Sequence, residues 1–276
     1  MGADNMVSDH YIPQVTDYSK RELSMVLSSV KSPSTLIGGW AVYFHVNKGF
    51  EDRHARDYIG SRDIDLGVHV DPKWDKDELE NSPVGVTLKS IETDLGYLKS
   101  RFGFVKYFER ETGEQISEEE SKELPLFEIF PVYIDIIPDT GELDAFRRLF
   151  GFEPPSETLL GQAFDNGKND SLERYVDWDT SVFSTLCDAE LLAAMKIRSI
   201  PGRDKEHKRV KDICDLHALL WYKKDINEMV DGIKRLISKE DLTRLRKNID
   251  EELFMAASNL IGVNMETLKG SIQRLI

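Results

Sequence analysis

Ser61-Arg62-Asp63-Ile64-Asp65-Leu66-Gly67-Val68-His69-Val70 alternates polar and apolar side chains with the two-residue period of a β-strand, expected over Asp63 to Val70. Residues i and i+2 of a strand share a face, so Asp63 and Asp65 set two carboxylates about 6–7 Å apart on one side. Ile64 and Leu66 then point into the core. Two like charges side by side on a half-buried strand repel each other, and a hard divalent cation with oxygen ligands removes that repulsion. A solvent-facing edge strand with incidental acids is the plain alternative.

On either side of this stretch lie two related features. Upstream, Thr35 to Ile37 reads as a short strand leading into Gly38-Gly39, with a helix over Trp40 to Val46. Glycines at such a transition let the backbone approach a ligand, and a helix start offers free N–H groups to an anion; ordinary turn chemistry explains a Gly-Gly pair equally well. Downstream, Phe130-Pro131-Val132-Tyr133-Ile134-Asp135-Ile136-Ile137 carries one Asp in an apolar strand. A carboxylate there is costly unless paired, hydrogen-bonded to backbone donors or bound to metal. On a strand beside Asp63 and Asp65 it would complete a two-metal site for in-line phosphoryl displacement.

The rest of the chain divides by pattern. Asp17 to Val30 is amphipathic, and Phe102 to Phe108 and Leu126 to Ile137 read as strands joined by the acidic segment Glu109 to Glu123, a solvated connection. Residues 139–179, with Pro154-Pro155 and many Gly, Asn and Asp, read as an irregular connection. From Asp188 onward the spacing is helical: Leu191, Leu192, Met195 and Ile200 form one stripe, and Val210, Ile213, Leu216, Leu220 and Trp221 a second, with Pro201-Gly202 between them. Asp225 with Glu228 and Ser238 with Asp241 mark further helix starts. The expected fold is therefore α+β: a sheet-containing domain over residues 17–140, a connection over 141–180 and a mainly α-helical C-terminal domain over 181–276.

Composition bounds the function classes. With 276 residues, 40% hydrophobic and 31% charged, the chain is an ordinary globular protein. No stretch is long and apolar enough to span a bilayer, and the polar start, Met1 to Asp9, has no signal-peptide core, so a cytoplasmic protein is expected. Cys187 and Cys214 make no disulfide framework or zinc motif and read as buried apolar groups. A net charge of −14 opposes unspecific binding to nucleic acid, yet magnesium bridges carboxylates to a triphosphate.

Gly38-Gly39, Asp63-Ile64-Asp65 and Asp135, in that order, resemble the nucleotidyltransferase superfamily of the polymerase-beta type. The resemblance implies a small mixed sheet with flanking helices, two magnesium ions held by Asp63, Asp65 and Asp135, and an NTP donor bound at Gly38, Gly39 and Ser61. It also implies attack of an acceptor hydroxyl on the α-phosphate, with pyrophosphate leaving. Cys187 to Lys196, then Arg203, then Lys211-Asp212-Ile213-Cys214-Asp215-Leu216, is similar to the toxin-like nucleotidyltransferases of abortive-infection and toxin–antitoxin systems. Carried over, Lys196 would contact the triphosphate, Asp212 would be a polar or catalytic group at the cleft, and Asp215 would orient neighbours; surface pairing of the two acids with Lys208 and Lys211 is the alternative. The resemblance leaves open an RNA, protein or small-molecule acceptor, an antitoxin partner, and a non-catalytic nucleotide-binding relative. Two departures stand out. Asn47 to Gly60, with Lys48, Arg53, His54 and Arg56, reads as an inserted loop suited to a lid or acceptor contact. The residue before Asp212 is Lys where Arg is commoner.

Overall fold

The computed structural model describes Val7 and residues 9–276, without the side chains of Asp9 and Gln14; the rest of the polar start lies outside the described residues. The fold is α+β, with a mixed sheet and many helices. By internal contacts the described residues form two compact units: residues 13–37 with 61–186, and residues 9–12 with 38–60 and 187–276.

The first unit holds the sheet. Its strands are β1 (Ser34–Ile37), β2 (Ile64–Val68), β3 (Leu98–Lys99), β4 (Gly103–Glu109), β5 (Gln115–Ile116), β6 (Ile129–Pro138), β7 (Asn169–Ser171) and β8 (Ser184–Cys187), in the order β3-β4-β6-β2-β1-β8-β7, with β5 on β4. β2 lies at the centre, parallel to β6 and antiparallel to β1. Its alternation is the expected one: Ile64, Leu66 and Val68 are fully buried, while Asp65 is half-buried. The same period runs along β6, where Phe130, Val132, Ile134 and Ile136 face the core and Tyr133 and Asp135 the other side. Each buried aliphatic or aromatic side chain of this face contributes about 1.5–3 kcal/mol by leaving water, which fixes the register, because a one-residue slip would expose all of them.

The helix Pro13–Ser29 packs its apolar face (Val15, Leu23, Val26, Leu27) within the same unit. It also buries Glu22, which accepts from Lys106 Nζ at 2.8 Å and from Tyr97 Oη at 2.9 Å. A lone Glu on an apolar helix face carries no sign of its partners, so this anchor was not readable beforehand.

Two local expectations need correction. The Asn47 to Gly60 loop is mostly helix, because the helix starting at Gly38 runs to His54 and ends at Ala55, whose φ is 52°. Phe50 is fully buried against Tyr58 and Tyr222, while Asn47 Oδ1 accepts from the Tyr58 amide at 2.7 Å. Arg56 reaches the Ile261 carbonyl and Arg53 lies over the Tyr222 ring. The segment thus packs into its own unit and is not a loose lid. The connection after β6 is also less irregular than its composition suggests: Asp144–Phe150 is a helix that buries Phe146 and Phe150 and stops at Gly151 with φ 77°. Phe residues at i and i+4 before a Gly were a legible helix-and-stop signal. By internal contacts, residues 38–60 group with the C-terminal helices.

The second unit is helical. Ala189–Ser199 and Glu206–Tyr222 are joined by a 3-10 turn at Ile200–Gly202, and four helices follow: Ile226–Lys234, Lys239–Lys247, Glu251–Ile261 and Met265–Gln273. Asp225 caps the first of these four and Ser238 forms a capping box with Asp241 on the second. Cys187 and Cys214 are buried thiols, both pushed up by burial.

His217, inside the longest helix of this group, is fully buried, with Nδ1 2.7 Å from Ser271 Oγ. Burial, helped by the nearby His54, lowers its pKa to about 4. Because the unfolded chain takes up this proton near pH 6.5, the stability from keeping His217 neutral is present above that pH. It is lost as pH falls towards 4, amounting to roughly 3 kcal/mol at the acid end. Urea unfolding of the wild type and His217→Gln at pH 7 and pH 4.5 checks this: the variant should lose less stability on acidification. Equal losses would show that this histidine does not set the acid limb.

Candidate metal and nucleotide site

The three aspartates come together through strand register. Asp65 and Asp135 are Cα partners on the parallel neighbours β2 and β6, hence about 5 Å apart across the ladder. Parallel partners put their side chains on the same face, and Asp63, two residues before Asp65, precedes the strand on that side. Gly103 is the partner of Asp135 on β4, so the strand beyond Asp135 presents no side chain next to it. Ile37, the last residue of β1, is the partner of Asp65 on the other flank. A row of two carboxylates thus crosses the middle of the sheet, with the third one pleat away.

All three side chains are half-buried. The field of Asp63 and Asp135 is felt at Tyr133, which lies two residues before Asp135 on the same face and is 36% exposed. Burial raises its hydroxyl above its ordinary pKa, as do Tyr107, Asp63 and Asp135, while Arg62 opposes them. Arg62 itself lies over the Phe130 ring, 5.4 Å from its centroid. Tyr133 is therefore a member of this face that motif reasoning passed over, whereas Phe130, under Arg62, belongs to the core side of β6. The signal for Tyr133 was the same period of two that selects Asp135.

Hard carboxylate oxygens on adjacent strands are the donor type that magnesium takes, and the backbone brings Asp65 and Asp135 within range of a shared ion. As the side chains stand, no three His, Cys, Asp or Glu groups among the described residues are gathered into an ion-holding cluster. The donor set fits the ion in chemistry and backbone placement.

Ser61 is buried just ahead of β2. Gly38 and Gly39 open the helix that directly follows β1, with Gly38 at φ 66°, where a side chain would be strained. The first glycine is thus required by the turn itself.

Lys196 and Asp212 have partners of another kind. Lys196 is buried, 8% exposed, and its ammonium contacts Asp212 Oδ1 and, at 2.8 Å, Asp215 Oδ2. Arg203 Nε donates to Asp212 Oδ2 at 2.7 Å; Lys211 Nζ and Tyr58 Oη, the latter at 2.9 Å, donate to Asp215 Oδ1. Burial disfavours charge on Lys196, yet Asp212 and Asp215 outweigh it and hold the ammonium above its ordinary pKa. Burial likewise opposes ionisation of Asp212, and Lys196 with Arg203 keeps it below the carboxylate range. Burial and Asp215 push the Tyr58 hydroxyl up. The pairing of Asp215 with Lys211 one turn earlier was weighed as a surface contact; it is instead part of a closed, buried ion cluster. The structure pairs Lys196 and Asp212 within this cluster, where the sequence reading expected Lys196 at the triphosphate and Asp212 as a polar or catalytic group at the cleft. A basic residue between Met195 and Ile197 looks the same in sequence whether it meets phosphate or buried carboxylates.

No family model, no characterised protein and no solved structure matches this chain. Among the described residues no helix is long and apolar enough to cross a membrane.

Proposed function

We propose that the protein is a metal-dependent nucleotidyltransferase that moves a nucleoside monophosphate from an NTP to an acceptor hydroxyl of RNA or protein. The observation that supports this most is the in-register pair Asp65–Asp135 at the centre of the sheet, with Asp63 one pleat away. Three half-buried carboxylates on one face are unfavourable for a purely structural sheet and suited to cations that bring phosphates in.

In this reading Asp63, Asp65 and Asp135 hold the ions. Bound magnesium supplies charge neutralisation at the triphosphate and at the departing pyrophosphate. The chain's own groups then bind and orient. The half-exposed Tyr133 ring offers a platform to a base or an acceptor. Ser61, just ahead of β2 in the same unit as the aspartates, offers a hydroxyl. Lys196 and Asp212 are not assigned to substrate; their cluster stiffens the helical unit.

The test is transfer itself. Purified protein incubated with each α-labelled NTP, magnesium and bulk tRNA should place label on RNA or on the protein, dependent on the metal. Absence of labelling with every NTP, over both acceptors, would sink the proposal. Labelling of neither macromolecule but of a small hydroxyl-bearing compound would move the enzyme to the antibiotic-modifying type.

A further inference from the structure

A second constellation stands at the other end of the same strands. β2 and β6 are parallel, so the residues that follow them, His69 and Asp139, leave the sheet side by side. His69 Nδ1 lies 2.6 Å from Asp139 Oδ2, and the other oxygen of that carboxylate accepts from the Val70 amide at 3.0 Å. Asp139 has a side chain only 8% exposed, fixed from two directions; His69 is 49% exposed. This is the arrangement in which a carboxylate sets a histidine's tautomer: Nδ1 carries the proton, and Nε2 turns a lone pair away from Asp139.

His69 lines a pocket of about 310 Å³. Trp74 and Phe164 stand beside its ring, with centroids 6.5 Å and 5.9 Å away and planes at 71° and 50°, and Pro33 and Val84 complete apolar walls. Asp165 is the only acid on the lining, and neither Lys nor Arg contributes to it. Such a wall set rejects phosphate and accepts a flat, uncharged ring. The volume is at the small end of the range for ligand pockets, about 300–1,000 Å³, which suits one ring system and not a triphosphate. Gly67, one pleat before His69, has Leu160 packed over it, so a Cβ there would meet the Leu160 methyls at 3.2–3.3 Å. Leu160 thus separates this pocket from Asp65 along the face they share.

We propose that this pocket is a nucleobase-binding site distinct from the three-aspartate face: the base lies against Trp74 and Phe164, and its exocyclic amino group donates to His69 Nε2. The apolar ring walls supply the affinity and the oriented lone pair selects amino-bearing bases.

Adenosine is the probe, used on the full-length protein in a metal-free buffer with chelator. It has no phosphate to transfer, so the outcome is independent of transferase activity. Titration calorimetry should give a saturable isotherm for the wild type and for Asp65→Asn alike. Trp74→Ala should weaken binding about tenfold or more, and His69→Gln and purine riboside, which lacks the amino group, each by up to about tenfold. Circular dichroism establishes that the variants are folded; if Trp74→Ala is not, Phe164→Leu replaces it. Lack of adenosine binding would overturn the proposal, as would equal affinity in the His69 and Trp74 variants. Competitive displacement of adenosine by tetramethylammonium would likewise overturn it, since the pocket would then be a cation cage.

Discussion

Asp65→Asn is expected to reduce nucleotidyl transfer by about 100-fold or more while leaving the fold intact, and Asp135→Asn to do the same. Asn keeps the volume of each side chain and removes one of the charges that a divalent ion needs. Asp65 and Asp135 are register partners on parallel strands, so either change also relieves repulsion between adjacent carboxylates. The thermal midpoint should therefore stay level or rise in both variants even as activity disappears. Steady-state transfer with labelled NTP, alongside a thermal melt, separates the two effects. Near-normal turnover in either variant would defeat the metal assignment; a lost fold would mean that the carboxylates serve structure.

The second large effect lies in the helical unit. Asp215 is fully buried and faces two ammonium groups, Lys196 and Lys211, besides the Tyr58 hydroxyl. Asp215→Ala removes a carboxylate from both ammonium groups, and removing one partner of a buried ion pair costs about 3–5 kcal/mol. Exchanging both members of a pair for apolar groups is far milder, so Lys211→Met with Asp215→Leu should cost less than Asp215→Ala alone. Urea denaturation at pH 7 measures both. A cost for Asp215→Ala under about 1 kcal/mol, the range of exposed ion pairs, would show that the cluster is solvated in solution.

Taken together, these variants divide the acids by employment. Asp63, Asp65 and Asp135 are half-buried in the sheet, and in the proposed reading their loss should act on chemistry. Asp212 and Asp215 are buried among cations, and their loss should act on stability.

Sequence alone determined those features that depend on neighbours a few residues apart. The period of two in Asp63 to Val70 put Ile64 and Leu66 inside and the two acids on one face, and the same period isolated Asp135 on β6. Helix starts at Asp225 and Ser238 were written in their own side chains. Other features needed the tertiary structure. That β2 and β6 run parallel with Asp65 opposite Asp135 follows from how the chain crosses between them, which no local period encodes. The union of Lys196 with Asp212 and Asp215, of Glu22 with Lys106, and of His69 with Asp139 likewise joins residues 16 to 84 positions apart. A charged residue in an apolar stretch announces that it needs a partner, because burial without one is too costly. Which partner it meets, another side chain or a ligand, is decided only when the folded backbone brings the candidates within reach.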